Sequence, residues 1–382
     1  MSAKRIVALV GRRDEPTDGV ADYCAWLGGA IGRYGYELET FRVDWLERGW
    51  RAALADLQEK AVAWHGCWVL LQFTTLAWSR RGFPLQTPRI LDALGKSGVH
   101  CGVVFHDFEP LGGSRWIDHA RHYCQLHVFE SLYKRAERAI FTVPIEKISW
   151  LPPHHDKAAF IPVGANCPEP PPGVWVEDTH GERTIAVYGV TGGTRTLPEV
   201  ADICFATKRA SQVLGRLRLI VFGRGSSEAE SALRTEFAGA DVEVEMLGLL
   251  SPDDISRTLA RADVMLFVRG QISTRRGIAI AGIACGLPVV CYAGPDMGWP
   301  ITEAGILPVP LGDREALSGA LQKVLSDNTL RKALCQCSRR AQEQYFSWDA
   351  IAARLGAALR EPGGVSSDGI VAGAAEELQP GP

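Results

Sequence analysis

With 382 residues, 46% hydrophobic and 22% charged, the chain is long enough to bury two separate cores and has the balance of a soluble globular protein. Its net charge of −3 comes without any basic run, which gives no reason to expect a nucleic acid partner. The ten cysteines are scattered, and the closest pair, Cys335 and Cys337, lacks the spacing of a zinc site or a disulfide framework, so they read as reduced thiols of a cytoplasmic protein. No apolar run reaches membrane-spanning length, and Met1 to Arg5 leads straight into a strand-like run instead of a signal peptide. Peripheral contact with the inner membrane face stays open.

In chain order, Arg5 to Val10 is a short apolar run with strand character, followed by a polar loop, Gly11 to Asp18, and a helical pattern starting at Gly19. Val20, Tyr23, Cys24, Leu27, Ala30 and Ile31 repeat there at helical spacing. This is the opening βα unit of a doubly wound sheet. Gly19 leaves room for a ligand at the helix N-terminus, or is simply an N-terminal glycine. Trp68 to Phe73 and Val99 to Phe105 read as buried parallel strands, and the second ends in His106-Asp107. Ligands gather at the carboxyl ends of strands in such sheets, which makes His106 a candidate site residue; the alternative is a loop histidine satisfied by Asp107 or backbone. Gln72 and the loop from Trp78 to Gly82 end the preceding strand and are expected to reach the same cleft. His119, His122 and His127 fall on a helix, where only the first two are neighbours, so no metal site is expected. Ala139 to Val143 and Phe160 to Gly164 read as the last strands of this half.

Pro168, Pro170, Pro171 and Pro172 mark a linker. The second half restarts with Thr184 to Gly189, a Gly-rich loop from Thr191 to Arg195 of phosphate size, and a helix through Lys208 and Leu214. Leu217 to Phe222 runs into Gly223-Arg224-Gly225-Ser226, which can bring backbone near a ligand. Val242 to Leu247 is followed by Ser251-Pro252-Asp253-Asp254, a capped helix start. Val264 to Val268 leads into the stretch from Arg269 to Tyr292. There a polar loop holding Ser273, Thr274, Arg275 and Arg276 precedes a small-residue helix from about Gly277 to Cys285. Two arginines beside a helix N-terminus suit a phosphate group, or merely face water. A helix from Arg314 to Leu325 comes next, then a final helix capped by Ser347 or Asp349 and ending near Leu359. The tail from Glu361 lacks apolar periodicity and is expected to be disordered.

Gly-Arg-Gly-Ser after a strand, the helix start Leu247-Gly-Leu-Leu-Ser-Pro-Asp-Asp-Ile255, Arg261-Ala-Asp-Val-Met-Leu-Phe267, Ala284-Cys-Gly-Leu-Pro-Val-Val290 and Tyr345-Phe-Ser-Trp348 occur in one order. Together they resemble the retaining, nucleotide-sugar-dependent glycosyltransferases of the GT-B fold, in particular family 4 (glycosyl transferases group 1). The resemblance runs from about Arg5 to Leu359 and is strongest in the second half. It implies an α/β chain of two Rossmann-like doubly wound domains facing across a cleft: 1–165 on the acceptor side, a linker over 166–183, a donor domain over 184–345, a helix over 346–360 crossing back, and a disordered tail over 361–382. It implies that Gly19 and His106 line the cleft.

The departures bear on the chemistry. Members of that family carry a Glu-x7-Glu pair whose positions fall here on Ser273 and Ala281, so neither carboxylate is present. The family's Arg and Lys after the first donor-domain strand fall on Val190 and Arg195, so one cation is kept. Arg275 or Arg276 is expected to replace the other. The candidate catalytic residues are therefore His106 and Arg195. The candidate donor-binding residues are Gly19, Arg195, Gly223, Arg224, Ser273, Thr274, Arg275, Arg276 and Gly277. The resemblance implies a hexosyltransferase-type enzyme of polysaccharide or glycoconjugate biosynthesis. It would move a sugar from a nucleoside diphosphate to an acceptor hydroxyl with retention, needing no metal or other cofactor. The acceptor is a saccharide, a lipid-linked molecule or a small molecule. The alternatives are a GT-B-fold binding protein without catalysis, suggested by the missing glutamates, and a sugar-nucleotide epimerase or hydrolase.

Overall fold

A computed structural model describes residues 3–14, 17–170 and 182–360. The expected tail and most of the expected linker lie outside the described residues. The chain divides into two compact units: the described residues of Met1–Arg13, Leu27–Ile161 and Ala352–Pro382 form one, and those of Asp14–Trp26 and Pro162–Ile351 the other.

In the first unit the apolar runs become a parallel sheet of β1 (Lys4–Val10), β2 (Tyr36–Arg42), β3 (Trp68–Phe73), β4 (His100–Phe105), β5 (Arg138–Phe141) and β6 (Ala158–Phe160). The spatial order is β2-β1-β3-β4-β5-β6. β2 carries no apolar run, because as an edge strand it alternates polar and apolar residues. Phe160 to Gly164, expected as a strand, contributes only its first residue. Ile161 N–H still donates to Phe141 O at 2.9 Å, and Pro162, which has no N–H to give, ends the pairing. The crossovers include α2 (Trp45–Ala61), α3 (Pro88–Leu94), α4 (Trp116–Arg135) and α1 (Gly19–Ile31), of which the residues from Leu27 onward group with this unit. Asp18 starts α1 by accepting from Val20 and Ala21 N–H at 3.1 and 3.2 Å. The core is aromatic at its centre, where Phe105 and Phe141 stack at 4.7 Å on adjacent strands and Phe129 of α4 closes edge-on over Phe73 at 5.5 Å.

The second unit repeats the plan with β7 (Arg183–Tyr188), β8 (Leu217–Phe222), β9 (Val242–Gly248), β10 (Val264–Gln271), β11 (Val289–Tyr292) and β12 (Ile306–Val309). Their order is β12-β11-β10-β7-β8-β9, all parallel. Its helices are α5 (Thr196–Leu214), α6 (Ser226–Glu236), α7 (Pro252–Ala260), α8 (Gly277–Ala284), α9 (Arg314–Ser326) and α10 (Asn328–Ala341). The chain then enters α11 (Trp348–Arg360), whose residues from Ala352 onward group with the first unit. Ser347 caps it, its Oγ accepting from Ala350 N–H at 3.2 Å. Small residues bring α8 close to the sheet: a Cβ on Gly282 would lie 2.4 Å from Met265 Sδ on β10. Among the described residues no helix is long and apolar enough to cross a membrane, and no group of three or more His, Cys, Asp or Glu stands together as a metal site.

Candidate functional site

In both sheets the carboxyl edge carries the groups with chemistry. On the first, His106 directly follows β4, its N–H donating to Phe73 O at 3.0 Å. Its ring lies 2.9 Å from Gln72 Oε1 through Nε2, so Nε2 carries the hydrogen and the neutral tautomer is set by Gln72. Gln72 is itself buried and fixed, with Nε2 donating to Leu70 O at 3.4 Å and its carbonyl accepting from Trp78 Nε1 at 2.9 Å. Asp107 Oδ2 accepts from Thr75 N–H at 2.8 Å. The surrounding protein desolvates the imidazole and pushes its pKa down to about 4. His106 is therefore a neutral hydrogen-bonding group near pH 7.

On the second unit the structure gathers five arginines. Arg195 ends a short turn after the Gly-rich loop, and Arg224 follows β8. Arg269 lies near the end of β10, and Arg275 and Arg276 close the loop before α8. Two are matched by carboxylates: Arg224 Nη1 donates to Asp14 Oδ2 at 2.7 Å, and Arg275 Nη2 to Asp296 Oδ2 at 3.2 Å. Arg276 is half-buried, and its Nε is shielded from solvent with no hydrogen-bond partner. Desolvation lowers its pKa first, and Arg275, Arg269 and Arg195 add repulsion that Asp296 only partly offsets, leaving it at about 10. Arg269 is lowered for the same two reasons, burial and then Arg224, against a smaller opposing pull from Glu199. Mutually repelling, desolvated guanidiniums form a site whose charge is satisfied by an incoming anion.

Local backbone explains how they come together. Pairing of β10 with β11 slips between Phe267 and Gln271, so Val268, Arg269 and Gly270 bulge out of the ladder, and a bulge re-aims side chains at a sheet rim. Arg269 then crosses Gly189, where a Cβ would lie 3.3 Å from Nη1. The loop before α8 is pinned by Val163 N–H donating to Thr274 O and Arg276 N–H to Ser273 O, each at 3.1 Å. Ser273 is buried with its Oγ unpartnered. No side chain caps α8, so its first turn adds unsatisfied N–H groups beside Arg276. Gly277 begins the helix and approaches Gly164 O, 3.4 Å from where a Cβ would stand.

Other expected residues stand differently. Two N–H groups of the Gly-rich loop are already engaged, Thr191 to Glu199 Oε2 at 2.7 Å and Gly193 to Glu228 Oε2 at 3.1 Å, and Arg195, exposed at its end, is that loop's cationic contribution. Gly223 serves the β8 turn, its N–H donating to Gly248 O at 2.6 Å. Gly19 is exposed with open space around it, but Asp18 has taken the helix N–H groups next to it. Sequence reasoning missed Arg269 and Asp296. The strand-end rule applied to His106 would have found Arg269 at the end of β10; nothing in the sequence announces Asp296.

Two parallel six-stranded sheets in successive units, with cationic and histidine groups at their carboxyl edges, define an α/β chain of GT-B class. Residues 188–327, within the second unit, match the family model described as Glycosyl transferases group 1. A GDP-mannose-dependent monoacylated alpha-(1-6)-phosphatidylinositol monomannoside mannosyltransferase of Corynebacterium glutamicum is 34% identical over 139 residues, 34% of this chain. The match spans 36% of that relative. Among solved structures, HepE of Anabaena in complex with UDP and glucose aligns over 93% of this chain and 98% of its own, at 15% identity and TM-score 0.62. Sucrose-phosphate synthase of Thermosynechococcus elongatus aligns over 94% and 98%, at 18% identity and TM-score 0.63.

Proposed function

We propose that the chain is a glycosyltransferase that moves a sugar from a nucleoside diphosphate to an acceptor hydroxyl with retention. The observation that carries this is the pair Arg269 and Arg276, partly buried beside the uncapped start of α8 in the stretch that matches the group 1 model. In sugar transfer from a nucleoside diphosphate, negative charge grows on the departing diphosphate, and preorganised guanidinium and N–H donors lower the barrier by meeting it where it forms. With that charge met by arginines, no metal is required. The leaving phosphate oxygen takes the acceptor proton, which gives retention a route without a protein base. His106, neutral and held by Gln72, acts as a hydrogen-bonding group toward the sugar or acceptor and not as a fixed cation. The acceptor is a saccharide, a lipid-linked molecule or a small molecule, met from the cytoplasmic side, with peripheral membrane contact.

A second reading, a binding protein of the same fold without turnover, is favoured by one observation. Ser273 and Ala281, which the family resemblance puts at the positions of its two glutamates, are both buried and carry no carboxylate. A thermal-shift screen of nucleoside diphosphates and their sugars, followed by assay of nucleoside diphosphate release, separates the two. Stabilisation with slow release in the absence of acceptor is the expected result. Stabilisation without release under any acceptor would establish the binding protein.

A further inference from the structure

The Gly-rich loop from Thr191 to Arg195 gives its backbone to two carboxylates that differ in how firmly they are held. Glu199 of α5 is 6% exposed, and its Oε2 accepts from Thr191 N–H at 2.7 Å. Breaking that contact would leave a buried carboxylate without its donor, so it belongs to the scaffold. Glu228 of α6 is exposed, and its Oε2 accepts from Gly193 N–H at the longer distance of 3.1 Å. It also lies against Gly192, where a Cβ would stand 2.9 Å from Oε2 and 3.1 Å from Oε1. Gly193 is exposed, and a Cβ there would meet nothing within 4 Å, so the loop is open at this residue.

Releasing Gly193 costs Glu228 little. The side chain belongs to the first turn of α6, where that helix's own N-terminal N–H groups favour a negative charge. It also lines a groove of about 740 Å³ between α5 and α6, together with Ser231, Thr235 and Lys208, so it can turn away from the loop and stay among polar groups and water. A phosphate oxygen accepts the same kind of bond from a backbone N–H and repels a carboxylate on the same donor. A diphosphate carries more charge than one carboxylate, so the exposed Arg195 at the end of the loop favours the exchange.

We propose that Glu228 is a built-in competitor for the Gly-rich loop: its carboxylate holds Gly193 N–H until a phosphate oxygen displaces it, and it thereby sets how tightly the loop holds phosphate. The inference rests on the proposed donor binding and adds to it a residue that tunes affinity from outside the arginine cluster.

The test is calorimetric titration of the full chain, wild type, Glu228→Gln and Glu228→Ala, with inorganic pyrophosphate and with UDP and GDP. Both variants should bind pyrophosphate and the nucleoside diphosphate about five- to tenfold more tightly than the wild type, with melting temperatures unchanged. Glu230→Gln removes the same charge from the same helix, where Glu230 pairs with Arg234 at 2.9 Å, and should bind as the wild type does. Unchanged or weaker binding in the Glu228 variants would overturn the proposal. So would an equal gain in Glu230→Gln, because net charge alone would then be the cause. The Gly193 amide resonance supplies a readout that needs no nucleotide: pyrophosphate should move it, and in Glu228→Ala at about a fifth to a tenth of the concentration. A Gly193 resonance unmoved at saturating pyrophosphate would overturn the proposal even with nucleotide bound elsewhere. Pyrophosphate that moves Gly193 while neither UDP nor GDP binds would strike the donor reading and uphold the Glu228 contact, so the two failures are distinguishable.

Discussion

His106 shows how much a single side chain's surroundings decide. Held by Gln72 and desolvated, it favours the neutral form, so the unfolded chain takes up a proton first as pH falls. Its contribution is present above the ordinary histidine pKa of 6.5 and is lost as pH drops toward about 4. Between about pH 7 and about pH 4.5 the wild type should therefore lose roughly 2 to 3 kcal/mol relative to His106→Gln. Urea unfolding followed by tryptophan fluorescence at the two pH values measures this. Parallel pH dependence in the two proteins would mean that the imidazole is not desolvated. Arg276 belongs at the same scale. It is half-buried beside other cations, and Asp296, the carboxylate that offsets them in part, already pairs with Arg275.

At the scale of elements, the turn after β8 is fixed by glycine for two separable reasons. Gly225 has φ +78 and a Cβ there would stand 2.0 Å from Val190 O, whereas Gly193 has φ +71 and open space. Gly193→Ala should thus lose about 1 kcal/mol from backbone strain alone. Gly225→Ala should lose appreciably more, about 3 kcal/mol, because two backbones must also separate. Equal losses in chemical unfolding would contradict the overlap. The strands most legible in the sequence were those buried on both faces, such as Trp68 to Phe73 and Leu217 to Phe222, since continuous apolar runs are what such burial demands. The edge strand β2 was not legible because it alternates, and the strand expected after Phe160 stopped short because Pro162 cannot pair. The loop before α8 carries its two arginines, Arg275 and Arg276, in plain view of the sequence. What escaped was the bulge that aims Arg269, and the carboxylates Glu199 and Glu228 that accept from Thr191 and Gly193 N–H in the Gly-rich loop, because neither a bulge nor a side-chain contact to a loop leaves a periodic signature.

At the scale of the whole molecule, each unit is a doubly wound sheet that places its polar site groups at the carboxyl edge, and the second adds a cationic cluster within the stretch that matches the group 1 glycosyltransferase model. The central claim is that Arg269 and Arg276 bind a diphosphate. The most direct measurement is calorimetric titration of wild type, Arg269→Ala and Arg276→Ala with a nucleoside diphosphate and with the corresponding nucleoside. Each charge-assisted contact is worth about 1.5–3 kcal/mol, so each variant should bind the diphosphate roughly tenfold to a hundredfold more weakly. Nucleoside affinity should change little. Equal losses for nucleoside and diphosphate, or unchanged diphosphate binding in both variants, would contradict the account.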